Sequence, residues 1–248
     1  MIEFLKEVYA VMWSDLRFMR HHFLNIFIMS IMSPLLYLLA FGYGMGRGMT
    51  YEDIPYVAFV VPGIVALTTL STSFSSTSTR INVQRLYYYS FDEMMMSPLR
   101  NSAIIIGKSM MGVIRGSISG GIILLIGLYI TPDLHLTPLL IASILISCFT
   151  FSFLGIMAAL LAKSHQSIST FSSLIILPMT FLCGTFFSVS LMPGAFQFLL
   201  YLLPLTHASI CIRASALDWV FPWTSLLILL AFCASFFLIN VYILKTKM

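Results

Sequence analysis

Charge is what this chain has least of. Only 9% of its 248 residues are Asp, Glu, Lys or Arg, against 59% hydrophobic, and the mean hydropathy is +0.98. So small a polar complement cannot clothe a water-soluble globule of this length, which leaves an integral membrane protein. The net charge of +4 could suggest a nucleic-acid partner, but the basic residues are scattered among loops rather than gathered on one face, and nucleic-acid binding is excluded. Cysteine is sparse and unpaired: Cys148, Cys183, Cys211 and Cys233 form no CxxC motif and read as small hydrophobes, a Cys183–Cys211 bridge at the outer face being the one alternative. The opening MIEFLKEVYAVMWSDLRFMR mixes acids, bases and apolar residues, so no cleavable signal peptide is expected.

Catalytic constellations are missing too. His21, His22, His135, His165 and His207 fall near predicted interfaces, and no HExxH, paired carboxylate or Ser/His/Asp set converges, so neither catalysis nor a metal site is expected. One string imitates a nucleotide site. Residues 102–109, SAIIIGKS, match the end of a P-loop, but Ser102 replaces the first glycine and no strand precedes it. A phosphate cradle needs a strand, a glycine turn and a helix N-terminus in water; here the same residues begin a membrane helix.

What is present is length in apolar runs. About 20 such residues cross the hydrocarbon, and six segments meet or approach that: about 23–41, 56–79, 102–129, 136–162, 168–187 and 223–244. The expected fold is all-α and polytopic, a single domain over 1–248 with six transmembrane helices. Residues 2–20 place Leu5, Val8, Tyr9, Met12, Trp13, Leu16 and Met19 at helical spacing, with Glu3, Lys6, Glu7, Ser14 and Arg17 largely opposite, so 1–20 reads as an interfacial helix. With the N-terminus inside, Lys6, Arg17, Arg20, Arg80, Arg85, Arg100, Lys108, Lys163, Lys245 and Lys247 face the cytoplasm and only Arg47 and Arg213 lie outside. Positive loops stay cytoplasmic, so both termini are expected inside, and the outer loops hold Glu52, Asp53, Asp133 and Asp218. Residues 188–218 contain two apolar stretches, about 193–203 and 206–217, divided by Pro204 and each too short to cross; they are expected as outer re-entrant helices.

The charged interruption from Arg80 to Lys108, with FDEMMMSPLR at its centre, is the conspicuous cytoplasmic feature. In the span that follows, Gly112, Gly116 and Gly120 recur every fourth residue, which clears one helix face for close approach of a neighbour; tight packing and a moving seam are both compatible with it. Arg115 interrupts the same helix, where a lone cation costs roughly 2.5 to 3.5 kcal/mol on the insertion scale. It either faces protein or a wet cavity, or snorkels to the headgroups. The preceding span ends in TTLSTSFSSTSTR, whose hydroxyls, among them Ser73, Ser76 and Thr77, suit helix packing or the wall of an access cavity.

FDEMMMSPLRNSAIIIGKSM and the later FLCGTFFSVSLMPGAFQFLLYLLPLTHASICIRA, taken with SPLLYLLAFGYGMG, resemble the ABC-2 family of permeases, the membrane subunits of ATP-driven exporters, and among its branches the drug-resistance and nodulation-factor type. The resemblance implies that 80–101 is a cytoplasmic coupling region docking on a separate ATPase subunit, the role falling on Phe91, Asp92, Glu93, Met94, Met95, Met96, Ser97, Pro98, Leu99 and Arg100. It implies an outer signature at Gly184, Phe187, Met192, Pro193 and Pro204, with Ser188 departing from a frequent proline. It also implies a second permease copy, an amphipathic substrate such as a drug, lipid or lipid-linked glycan, location in the inner (plasma) membrane, and no cofactor in this chain, ATP and Mg being held by the partner. The alternative is a secondary transporter or channel not driven by ATP, which would need intramembrane acids or inverted repeats with broken helices. A membrane-embedded lipid enzyme would need convergent catalytic groups.

Overall fold

The computed structural model describes residues 2–21, 23–45, 50–51, 54–187 and 193–247. Eleven α-helices are described: α1 (Ile2–His21), α2 (Phe23–Tyr37), α3 (Tyr56–Leu86), α4 (Ser90–Met96), α5 (Asn101–Ile130), α6 (Pro138–Leu161), α7 (His165–Phe171), α8 (Leu177–Leu182), α9 (Gly194–Tyr201), α10 (Pro204–Ala216) and α11 (Trp223–Lys247). A π-helical stretch, Leu38–Met45, continues α2, and another, Ser172–Ile176, joins α7 to α8. Two-residue strands β1 (Thr50–Tyr51) and β2 (Ile54–Pro55) pair antiparallel, a small departure from the all-helical expectation.

Among the described residues, four helices are long and apolar enough to cross a membrane, α3, α5, α6 and α11. The other two expected spans are helical but interrupted. Pro178 has no N–H and would crowd the carbonyl four residues back, and the chain widens into a π turn just before it. Pro34 lies inside α2, ahead of the other π stretch.

The centre of the bundle is α3, and its residues explain why. A side chain at Gly112 of α5 would collide with Thr77 and Ser152 hydroxyls and come within 2.8 Å of the Ser73 carbonyl. At Gly155 of α6 it would come within 2.8 Å of the Phe74 carbonyl. Small residues on three helices thus let α3, α5 and α6 pack backbone to backbone. Around them lies a core that includes Phe59, Ile64, Leu70, Phe74, Ile123, Leu140 and Phe151. A second cluster, with Val11, Ile81, Phe91, Ile104, Phe153, Ile156 and Leu244, closes the end of the bundle next to α4.

One boundary differs from the sequence reading. The second span was expected to end at Thr79, yet α3 runs two further turns to Leu86. Hydrophilic residues there do not break the helix because they have partners: the Arg85 guanidinium donates to the carbonyls of Ala159, Leu160 and Ala162 at 3.1, 2.7 and 3.3 Å, satisfying the C-terminal end of α6.

Candidate coupling site

Helix α4 has only seven residues, too few to hold itself in water, so its position comes from packing. Phe91 provides it. Its ring is 1% exposed and belongs to the second cluster, which also draws residues from α1, α3, α5 and α6. The three methionines divide: Met94 and Met95 are half-buried against that cluster, with Leu99, whereas Met96 is 89% exposed. Asp92 and Glu93 are exposed in the first turn, where the helix dipole favours acids. Ser97 turns its hydroxyl back to the Met94 carbonyl at 2.5 Å and ends the helix, and Pro98 is exposed. The Arg100 backbone N–H donates to Glu7 Oε2 at 3.3 Å, and its side chain lies 3.9 Å from Glu7 Oε1, so Arg100 is engaged by α1.

The approach to α4 is an aromatic corner. Tyr87, Tyr88 and Tyr89 are each more than 60% exposed, and Tyr89 adopts φ 54°, a left-handed conformation unusual for a non-glycine residue. This run stands next to FDEMMM, and three consecutive aromatics beside a charged loop were its visible signal.

Beneath α4 lies a charged knot that sequence reasoning missed. Asp15 of α1 is 1% exposed; its carboxylate accepts from Lys108 Nζ at 2.8 Å, Arg80 Nε at 3.0 Å and Gln84 Nε2 at 3.0 Å. Lys108 Nζ also donates to Gln84 Oε1 at 2.8 Å, and the Arg80 guanidinium stacks 3.9 Å from the centre of the Phe18 ring. Lys108 and Arg80 therefore do not act as free loop cations. The GKS string has the same explanation: a side chain at Gly107 would meet Val11 Cβ at 2.7 Å, so the glycine lets α1 lie against α5 where Lys108 reaches Asp15.

The other candidates fall in two places. Ser73, Thr77, Gly112 and Gly116 meet inside the bundle: Ser73 Oγ donates to the Gly112 carbonyl at 3.0 Å, Thr77 Oγ1 to the Ser73 carbonyl at 2.9 Å, and Gly116 faces Ser73 and Cys148. Ser76 is buried and bonds back to the Thr72 carbonyl, and Gly120 faces Thr69 and Val65. Arg115 donates from Nη2 to Ser30 Oγ at 2.9 Å, with Nε buried and unpartnered among the described residues.

At the opposite end, Gly184 takes φ 73°, a turn that suits glycine. Its carbonyl accepts from Arg213 Nη2 at 2.8 Å. Arg213 falls on α10, within the short helix expected over about 206–217, but it is buried there: it is 6% exposed, stacks 3.9 Å from the centre of the Phe59 ring and also donates to the Phe59 carbonyl at 3.1 Å. It joins α3, α10 and the 183–187 turn. Phe187 packs on the core, Pro193 precedes α9 and Pro204 starts α10, where its missing N–H has no cost. Met192 and Ser188 lie outside the described residues, as do His22, Arg47, Glu52 and Asp53. Among the described residues no cluster of His, Cys, Asp or Glu could hold a metal.

The sequence pattern of the ABC-2 type transporter family matches residues 6–217. The inner membrane transport permease YadH of Escherichia coli K12 is 25% identical over 193 residues, 75% of each chain. Nodulation protein J of Rhizobium meliloti is 29% identical over 202 residues, 74% of this chain and 71% of the relative, and that of Sinorhizobium fredii 28% over 198 residues, 76% and 73%. With its apolar helices, this makes the protein a multi-pass inner-membrane protein. The chain belongs to the ABC-2 type transporter family and is a membrane transport permease subunit.

Proposed function

We propose that this permease is the membrane half of an ATP-driven exporter, moved from the cytosol by a separate ATPase subunit that docks on α4 and the Tyr87–Tyr89 corner. The observation that carries the reading is the two-sidedness of α4: Phe91 is locked into the bundle while Asp92, Glu93 and Met96 project from it. Force on the projecting side has to pass through Phe91 to several helices, and Arg85 ties the adjoining end of α3 to α6. ATP and Mg would sit in the partner, and binding would drive transport only if α4 is held differently in the two states of the ATPase. Two copies of the chain would frame the path, the sparsely buried α11 supplying apolar surface for lipid or the second copy. The cargo is an amphipathic molecule carried outward.

The test is co-purification of an ABC ATPase subunit co-expressed with this chain, together with transport in vesicles. The double variant Glu93→Lys, Met96→Ala should lose at least tenfold in ATPase retention while folding normally. Undiminished retention and transport would remove α4 as the docking element.

A further inference from the structure

Between α1, α3 and α5, one to two turns from the Asp15 knot, lies a cavity of about 240 Å³ whose walls include Arg80, Arg115, Ser75, Thr79, Phe18 and Met111. No acid lines it. Asp15 is a single carboxylate shared by Lys108 and Arg80, so that cluster keeps one positive charge in excess, and Arg115 has no carboxylate within 4.0 Å among the described residues. Two cationic charges are thus uncompensated beside one small cavity.

Arg115 is costly where it stands. Its Nε is buried without a partner, and leaving a buried charged donor unmet costs more than leaving a neutral one. The Nε of Arg80 takes Asp15 and its face takes Phe18, which leaves the in-plane Nη donors, without a hydrogen bond among the described residues, available to the cavity. Ser75 and Thr79, one turn apart on α3, are exposed, and their side-chain oxygens have no hydrogen-bond partner among the described residues. Guanidinium forks and hydroxyl donors around a space several times the volume of a water, about 30 Å³, are what a tetrahedral oxyanion requires. Phe18 and Met111 give the same space an apolar wall.

We infer that this cavity receives an anionic head, a phosphate or sulfate monoester, carried on an alkyl chain, with Arg115 and Arg80 holding the oxygens and Ser75 and Thr79 completing the shell. The inference rests on the permease reading and narrows its cargo to anionic amphiphiles.

The test uses the full chain purified in dodecyl maltoside, whose neutral head on the same alkyl chain is present in large excess as an internal control. Radiolabelled dodecyl phosphate should bind saturably, Arg115→Gln should weaken it at least tenfold, and Ser75→Ala with Thr79→Val should weaken it several-fold. Should Arg115→Gln fail to fold, judged by gel filtration and thermal unfolding, the hydroxyl double variant carries the test. No binding above the detergent background, or unchanged binding in the folded variants, overturns the proposal. So does displacement by inorganic phosphate at the concentration of dodecyl phosphate, which would mark a free-anion site. Displacement by phosphatidic acid, whose head is also a phosphate monoester, supports the anionic head and assigns it to a bilayer lipid; failure to displace supports a single-chain cargo. Because no ATPase or nucleotide is present, a negative result here leaves docking on α4 untouched, and loss of docking leaves this binding intact.

Discussion

Asp15 is the residue on which the architecture of the α4 end of the bundle turns. It sits on α1, yet its partners come from α3 and α5, 65 to 93 positions later. Removing one member of a buried ion pair leaves its partner charged and desolvated, at about 3 to 5 kcal/mol, whereas replacing the pair with apolar residues is often neutral. Asp15→Asn should therefore lower the thermal unfolding midpoint and the folded yield sharply, while Asp15→Leu combined with Lys108→Met and Arg80→Met, which removes both cations that Asp15 serves, should recover most of the loss. A triple variant as unstable as the single would show that the charge cluster is not the source of the effect. This pairing was not legible in the sequence. Helical periodicity separates an apolar from a polar face, and a lone aspartate counts as solvated whichever neighbour covers it. The burial of Arg213 within its expected short helix was hidden for the same reason: a cation satisfied by carbonyls and an aromatic face looks in sequence like a solvated charge.

Elements were far more legible than their contacts. The two short helices divided by Pro204 are present as α9 and α10, because proline at the first helical position states a boundary directly. Helices α5, α6 and α11 lie within a few residues of the expected apolar runs. The end of α3 was missed because its last two turns are held by side chains from α1 and by carbonyls of α6, neither visible locally. For α4 the motif was readable but the anchor was not: only the fold shows that Phe91, among six apolar residues from 91 to 99, is the one fully buried. Phe91→Ala removes a ring whose loss in a core costs about 3 to 5 kcal/mol. Since a seven-residue helix has little stability of its own, that cost is expected to release α4 locally. Amide exchange over 90–96 should become fast while α3 and α5 stay protected. Met96→Ala, on the exposed side, should leave exchange unchanged, and equal exchange in wild type and Phe91→Ala would deny the anchor.

At the scale of the whole molecule, the two interrupted helical runs decide how many times the chain crosses. The run from α7 through α8 covers 18 residues, about 27 Å at 1.5 Å per residue, close to the roughly 30 Å of a hydrocarbon core. The distribution of basic residues favours crossing, since otherwise Lys245 and Lys247 would face outward. Impermeant thiol labelling resolves this, because Cys148, Cys183 and Cys211 are buried and only the half-buried Cys233 needs replacement by serine. Four crossings between 92 and 245 put Asp92→Cys and Lys245→Cys on one side, both labelled in inverted vesicles, with Asp133→Cys labelled only in right-side-out ones. If 165–182 stays on one side, Lys245→Cys switches while Asp92→Cys does not. Glu3→Cys reports in the same way on the run from 23 to 45: it should label with Asp92→Cys, and labelling from the opposite face would mean that α2 does not cross. That outcome would also detach α1 from the membrane face on which Asp15 meets Lys108, so the crossing of the 23–45 run and the buried ion pair stand together.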